Sequence, residues 1–555
     1  MTIEVTVKAT AESAGFSWTA LDEVELTESL FPPQSNGELR DITIGGLLRE
    51  TAEQFSDSIA IVDIALDGSP TQQWNYGELL TISEKLAMGL ASRFEPGEKV
   101  LVWAPNISTW LFIEYACALA GLVLVTANPS FQARELRYVL EQSGAVALFR
   151  VEGFRGNPMA EIAAEAVAGN MTIREVVDLN DEEDLFAVGN RTAKLPRVAP
   201  NDAAQIQYTS GTTGFPKGAV LSHHNLVNNA QLFAARKKVH QQSVWANFMP
   251  MFHTAGCATT ALGCLQTGCK MLMIKLFDAG TLARLIESER ITTFFAVPTM
   301  LVGLLEVLER QDRDVNSMEV ITTGGAPVAP ELVRQVRERL GCNLQSAFGQ
   351  TEASPMICLN HDDVTIDDVC FSAGQPLPHT SVSIRDPETG AVLPIGEVGE
   401  ICARGYNVML GYHDNEVATR EALDADGWLH TGDLGKLDSR GFIYVTGRVK
   451  DMIIRGGENH FPAEIENLLI EHPSVAEVSV VGIPDDKWGE VIGAFIRTEV
   501  NLPLNIASLR SYCREHLSPQ KTPTIWRRVE TFPLTGSGKI QKFKIRENFV
   551  AGNYG

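Results

Sequence analysis

Residues Tyr208 to Gly218 read YTSGTTGFPKG, placing five hydroxyl-bearing side chains, three glycines and one lysine in eleven positions. Glycine lets backbone N–H groups approach an anion, hydroxyls add donors, and a lysine adds charge. Thr209, Ser210, Gly211, Thr212, Thr213, Gly214 and Lys217 therefore form a cradle suited to polyphosphate. The spacing is not that of a Walker A loop, which needs GxxxxGK[ST] opening directly into a helix. Here Lys217 is followed by glycine and an apolar run, GAVLS, that reads as a strand, and AAQIQ ahead of the loop reads as another. The alternative is a hairpin that merely turns the chain, but ordinary turns seldom run to such a length with this composition. A second grouping, His253, Cys257, Cys264 and Cys269, fits no zinc spacing, and small or apolar residues separate its members. Those four side chains are read as core packing.

The flanking sequence supplies the scaffold. Between Lys99 and Ser130, VLVWAPN reads as a buried strand, Asn106 or Ser108 is positioned to cap a helix running through Ala118, and LVLVTANPS reads as the next strand. That is a βαβ unit and implies a parallel sheet. Strands recur near Ala145 to Phe149, Thr293 to Val297 and Val320 to Thr323, with amphipathic stretches such as Pro330 to Leu340 among them, so the bulk of the chain is α/β. From about Gly390 the pattern changes to short strands and tight turns, VGEICARG and GFIYVTGR, predicting a β-rich subdomain over about 375–447. After Arg448 come helix AEIENLLIEH, strands VAEVSVVGI and GAFIRTEV, and helix IASLRSYCREHL. The expected organisation is a lead-in over 1–40, a large α/β body over 41–448 and a small α+β domain over 449–555, joined at the charged segment RVKD.

A length of 555 residues predicts roughly three to four folding units. Apolar residues at 45% and charged residues at 21% are ordinary for a globular chain. Forty-six Lys and Arg against 69 Asp and Glu leave a net charge of −23, which repels nucleic-acid backbones and anionic lipid. A few local cations can still bind a small anion, because salt screens the distant field within roughly 8 Å. The nine scattered cysteines, without a CxxC pair, point to a reducing compartment. The first residues, MTIEVTVKATAESAGF, lack the basic and apolar runs of a secretory leader, and no apolar stretch is long enough to span a bilayer. A cytoplasmic location is expected.

Seven segments taken together resemble the adenylate-forming superfamily of acyl-CoA synthetases, aryl-CoA ligases, luciferases and peptide-synthetase adenylation domains. In family order they are YTSGTTGFPKG, FMPMFHTAG at 248–256, TTGGAP at 322–327, AFGQTE at 347–352, GWLHTGD at 427–433, YVTGRVKDMIIRGGENHFPAEIE at 444–466 and PLTGSGKIQK at 533–542. The resemblance spans about residues 50 to 545 and implies a large and a small mobile domain. It implies that the loop from Thr209 with Lys217 holds the β- and γ-phosphates of ATP, that Gly325, Ala326 and Pro327 pass beside the adenine and acyl group, and that Ser346, Ala347, Phe348, Gly349, Gln350 and Thr351 line the nucleotide with Phe348 against the adenine ring. Many relatives carry Tyr where Phe348 stands; stacking survives the change and a hydroxyl contact is lost. Glu352, with Thr209, would hold Mg2+, a hard cation that takes oxygen ligands. Asp433 would accept from both ribose hydroxyls, with Arg448 close to the nucleotide.

The same resemblance makes Lys539 the cation that reaches the substrate carboxylate and the α-phosphate during adenylation. It places the hinge at Lys450, about which the small domain turns between two half-reactions, and the pantetheine of coenzyme A along Arg455, Gly456, Gly457 and Glu458. The implied reaction is attack of a carboxylate on ATP to give acyl-AMP and pyrophosphate, then transfer of the acyl group to CoA. Amino-acid-activating relatives have Asp after the Phe of the 248–256 segment; here the residue after Phe252 is His253, so amino acids are disfavoured. His253, Thr254, Ala255, Gly256, Cys257, Gly324 and Gly325 are expected to shape the acyl pocket, with His253 flanking the carboxylate. A medium-chain fatty acid is the first expectation and an aryl or alicyclic acid the second. A holo acyl carrier protein is the competing thiol acceptor and a non-catalytic acyl- or nucleotide-binding protein the competing class; monomer and homodimer are equally compatible.

Overall fold

The computed structural model describes residues 24–181, 185, 194–209, 216–324, 328–455, 458–485, 487–498, 503–534 and 540–554. They form two compact units, the first built mainly from Phe31–Val382 and Ala403–Leu429, the second from Glu25–Leu30, Ser383–Cys402 and His430–Gly555.

Two mixed sheets organise the first unit. One runs, edge to edge, Gly411–Tyr412, Lys217–Ser222, Ala203–Thr209, Val123–Thr126, Lys99–Trp103, Ala147–Arg150 and Glu175–Asp178. The other runs Gln375–Pro376, Met356–Leu359, Asn343–Gly349, Val320–Gly324, Thr293–Ala296, Val244–Asn247, Lys270–Ile274, Ile59–Ile64 and Pro70–Asn75. Parallel pairing holds through the middle of each, as in Lys99–Trp103 with both Val123–Thr126 and Ala147–Arg150. These strands read as unbroken apolar runs because both faces are covered. Helix Ser108–Ala120 is buried at every position but Thr109, so it lies inside the body and shows no polar face.

The expected cap on that helix does not form. Ile107 is the N-cap and makes no side-chain capping bond. Asn106 instead donates to the carbonyls of Met249 (2.9 Å) and Ile274 (3.2 Å) and accepts from the Met251 N–H (2.9 Å), while the Ser108 hydroxyl bonds the Asp63 carboxylate. Buried backbone groups on neighbouring segments compete for these side chains and win over the helix's own N–H groups.

Buried charge is the second feature of this unit. Lys237, fully buried at the end of helix His223–Arg236, donates to the Phe294 carbonyl (2.9 Å) and the Thr322 hydroxyl (2.8 Å) and lies 5.1 Å from the Trp245 ring. Burial pulls its pKa down to about 7. Arg236 beside it donates to the carbonyls of Leu359 (3.1 Å) and Gln375 (2.9 Å).

A five-stranded sheet with most of its residues in the second unit orders Leu30–Phe31, Thr380–Arg385, Gly399–Gly405, Leu429–Leu437 and Ile443–Arg448. Beyond it lies a further sheet of Glu458–His460, Ile453–Arg455, Gly489–Thr498, Val475–Asp485 and Ile525–Arg528. Helices Pro462–Ile470 and Ile506–His516 close one small core around Ile465, Leu469, Leu509 and Trp526, and helix Lys542–Val550 closes another around Phe495, Phe532 and Ile545. No described helix is long and apolar enough to cross a membrane.

Candidate active site

Strands Ala203–Thr209 and Lys217–Ser222 pair antiparallel with Tyr208 opposite Gly218 and Thr209 opposite Lys217, so the two ends of the sequence-predicted cradle stand side by side. The Thr209 hydroxyl donates to the Lys217 carbonyl (3.4 Å), and Tyr138 donates to the Pro216 carbonyl (3.1 Å). Gly218 is required because a Cβ there would meet Ile206 Cγ2 at 2.7 Å. Ser210, Gly211, Thr212, Thr213 and Gly214 lie outside the described residues, as do Gly325, Ala326, Pro327, Gly456, Gly457 and Lys539.

On the other sheet, Val320–Gly324 and Asn343–Gly349 run parallel and in register, Thr323 with Ser346 and Gly324 with Ala347. Carboxyl ends of adjacent parallel strands are where open α/β sheets bind ligands. Phe348 is half-buried and sits at an irregularity between Phe348 and Gly349, which turns the chain out of the sheet. A Cβ on Gly349 would lie 2.1 Å from the Pro355 carbonyl oxygen. Gln350 then donates its N–H to that carbonyl (2.9 Å), and a single 3-10 turn, Thr351–Ala353, carries Glu352.

Glu352 is held by a residue that sequence reasoning missed. The Tyr412 hydroxyl donates to Glu352 Oε1 at 2.7 Å, and the Met409 N–H donates to the Glu352 carbonyl at 2.9 Å. The Lys217 ammonium lies 5.0 Å from the centroid of the same Tyr412 ring. Burial first, and the Glu352 charge second, raise the Tyr412 pKa, so its phenol stays protonated and acts as a donor. The oxygen donors present, the Glu352 carboxylate and Thr209 hydroxyl, fit a hard divalent cation such as Mg2+. The only sequence signal for Tyr412 was an aromatic after glycine in LGYHD.

The segment expected to shape the acyl pocket opens with His253, whose Nδ1 accepts from the Ala255 N–H (3.1 Å), and continues as a π-helix, Ala255–Leu262. Thr254 and Ala255 are buried. Two small residues here do not leave empty space. A Cβ on Gly256 would meet the Pro250 carbonyl oxygen at 2.4 Å, so that glycine serves a close backbone approach. Cys257 is fully buried, with Sγ 3.2 Å from Gln207 Nε2 and 3.5 Å from the His253 carbonyl. Behind it Gln207 donates to Gln205 (2.7 Å), and Gln205 donates to Glu114 (2.6 Å), whose carboxyl is raised well above its usual range by burial. Nothing in the local pattern signals this polar network, since Glu114 falls in a largely apolar helix.

In the second unit, Asp433 and Arg448 stand opposite each other on paired strands, and Arg448 Nε donates to Asp433 Oδ1 at 3.1 Å. The turn before Asp433 is fixed by Glu400, which accepts from the Gly432 N–H (3.0 Å) and pairs with His430 Nδ1 (2.8 Å), and by Thr431, which donates to the Ile401 carbonyl (2.6 Å). Lys450 falls in a 3-10 turn, Val449–Asp451. Arg455 pairs in register with Glu458, bonds the Gln520 carbonyl and lies 5.6 Å from the Trp488 ring.

Glycine-relieved backbone and hard oxygen donors at the carboxyl ends of parallel strands, with a lysine opening the adjoining antiparallel strand, make this a nucleotide-binding α/β enzyme by class. Comparison with known proteins narrows the class. The AMP-binding enzyme family matches residues 48–413, and the AMP-binding enzyme C-terminal domain matches residues 464–539. The chain belongs to this family of adenylate-forming acyl-CoA synthetases. It is 36% identical over 544 residues to YngI of Bacillus subtilis, whose own designation as an acyl-CoA synthetase is provisional, covering 92% of this chain and 98% of YngI. It is 34% identical over 543 residues to the human mitochondrial medium-chain acyl-CoA ligase ACSF2, covering 92% and 88%. Among solved structures, ATP-bound MatB from Rhodopseudomonas palustris superposes with a TM-score of 0.81 at 28% identity over 92% of this chain and 99% of that one.

Proposed function

We propose that this protein joins a medium-chain fatty acid to coenzyme A through an acyl-adenylate, releasing pyrophosphate and then AMP. Lys217 meeting Glu352 on one tyrosine carries this assignment, because a phosphate cation and a magnesium-type carboxylate distant in sequence converge there. A carboxylate is a poor acyl donor until its oxygen becomes a leaving group, and the enzyme's contribution to that step is alignment and charge neutralisation. Thr209 and Lys217 hold the β- and γ-phosphates. Phe348 lies against the adenine, Asp433 accepts from the ribose hydroxyls, and Lys539 neutralises charge at the reacting carboxylate and α-phosphate. Glu352 and Thr209 would hold Mg2+, which would supply charge neutralisation on the phosphates. His253 flanks the carboxylate. Lys450 is the hinge at which the small domain reorients before Arg455 and its neighbours receive the thiol, with free CoA rather than a carrier protein as acceptor.

Similarity to the medium-chain ligase ACSF2 supports a medium chain, and one residue argues against an amino acid. The acid after Phe252 that would neutralise an amine is absent, with His253 in its place. We place the reaction in a reducing compartment, the cytoplasm, since all nine cysteines are buried free thiols. The test is a panel of linear, aryl and alicyclic acids scored for pyrophosphate release with and without CoA and with a holo carrier protein. Linear acids of medium length should give the highest kcat/KM and a CoA thioester. Release from no acid would overturn the assignment, and preference for an aryl acid would overturn the substrate class.

A further inference from the structure

Lys217 and Glu352 carry opposite charges, and each lies against a different part of Tyr412: the ammonium over the ring face at 5.0 Å, the carboxylate at the hydroxyl at 2.7 Å. We propose that Tyr412 is a spacer that prevents these two groups from pairing with each other and keeps both directed toward the phosphates and their magnesium. It is a positioning residue, and its assignment rests on the roles given above to Lys217 and Glu352.

The backbone is built to hold the ring in this place. Gly411–Tyr412 adds an edge strand to the phosphate hairpin, with Tyr412 opposite Ala219. Backbone N–H groups of Leu410 and His413 bond the carbonyls of Val220 and Gly218, both at 2.8 Å. Gly411 has φ +141°, and a Cβ there would meet Thr419 Cγ2 at 2.9 Å, so the turn into Tyr412 demands glycine. The Tyr412 N–H is taken by the Thr419 hydroxyl at 2.9 Å. Thus the segment Met409–Tyr412 fastens both the main chain and the side chain of Glu352 while flanking the strand that begins at Lys217.

The electrostatic reason for a spacer is direct. An ammonium and a carboxylate free to meet in a partly desolvated cleft attract strongly, and a ligand that needs both must first separate them. An aromatic ring satisfies the cation with its face and the anion with its hydroxyl, so each charge is stabilised without being neutralised by the other. AMP lacks the β- and γ-phosphates, so its binding is independent of this device.

Equilibrium binding of ATP across a Mg2+ titration, and of AMP, by calorimetry in the absence of any acid tests the proposal with Tyr412→Phe and Tyr412→Leu. Tyr412→Phe keeps the ring face and loses the hydrogen bond to a charged group, and the Mg2+ concentration for half-maximal ATP binding should rise about tenfold. Tyr412→Leu, which removes the spacer, should weaken ATP binding further still, and AMP affinity should stay within about twofold of wild type in both. Wild-type Mg2+ dependence in both variants, or parallel loss of ATP and AMP binding in Tyr412→Phe, would overturn the spacer role. The acid panel above is independent of this outcome: failure there removes the synthetase assignment, whereas the ATP and AMP arms read Tyr412 itself.

Discussion

The two units differ in the cations they bury, although both carry half-exposed ion pairs, such as Arg290 with Asp314 in the first. In the first, Lys237 and Arg236 are buried without an ion pair among the described residues, and each donates to carbonyls or a hydroxyl from segments far away in sequence. In the second, charges sit in cross-strand pairs near water: the Arg448 side chain is 50% exposed beside Asp433, and the Arg497 side chain is 43% exposed beside Glu477 at 3.0 Å. Burial of that kind fixes geometry at a high cost of disruption, while half-exposed pairs break and reform with little change in free energy. The first unit is thus suited to hold a preformed mould, and the second to supply groups that act at particular stages.

Breaking this contrast starts with Lys539→Ala. Acid-dependent pyrophosphate release should fall about 10²- to 10³-fold, as when a preorganised charge stabiliser is removed, while supplied acyl-adenylate is still converted to thioester. A normal rate of pyrophosphate release would move the adenylation chemistry elsewhere. Asp433→Ala should weaken ATP and AMP binding alike, by about a hundredfold if two hydrogen bonds to a carboxylate are lost. Wild-type AMP affinity in that variant would remove the ribose assignment.

Acid stability sharpens the comparison. Burial holds the His223 pKa down at about 4 in the folded first unit, against 6.5 when exposed. Its contribution is therefore complete above pH 6.5 and is lost as pH falls toward 4, because the unfolded chain takes up the proton first; the loss amounts to about 3 kcal/mol. His361, depressed to about 3 chiefly by burial, acts in the same direction. Denaturant midpoints followed by hydrogen exchange should show the first unit losing stability from pH 6.5 to 4, with His223→Gln reducing the slope. The smallest effect is expected for Arg497→Gln in the second unit, less than about 1 kcal/mol and further reduced by salt.

Sequence pattern read the framework well where local and tertiary preferences agree. The helix expected over Pro330 to Leu340 forms over Pro330–Leu340, and the strands read at Val320 and Thr293 form within a residue of their expected ends. Motif order was enough to name the family. Failures occurred where a distant partner decides. Asn106 looks like a cap and instead ties three backbone groups together. Lys237 follows a helix in the polar run ARKK, and no neighbour in sequence marks it for burial against Trp245. Tyr412 could not be assigned because its role exists only once an edge strand joins the phosphate hairpin. Gly256 reads as room for a ligand, and its space is taken by the Pro250 carbonyl.

The π-helix at Ala255–Leu262 has a consequence for how this site can change. Such a turn holds one residue more than an α-helical turn closed by i to i−4 bonds, and each residue in an α-helix advances the side-chain direction by about 100°. Deleting a single residue from AGCATTAL would let the segment relax to α-helical bonding while the flanking turns keep nearly their present directions, because the wider turn already absorbs the extra residue. One codon lost here would therefore change the wall that follows His253 while leaving helix Gly263–Thr267 beyond it in phase.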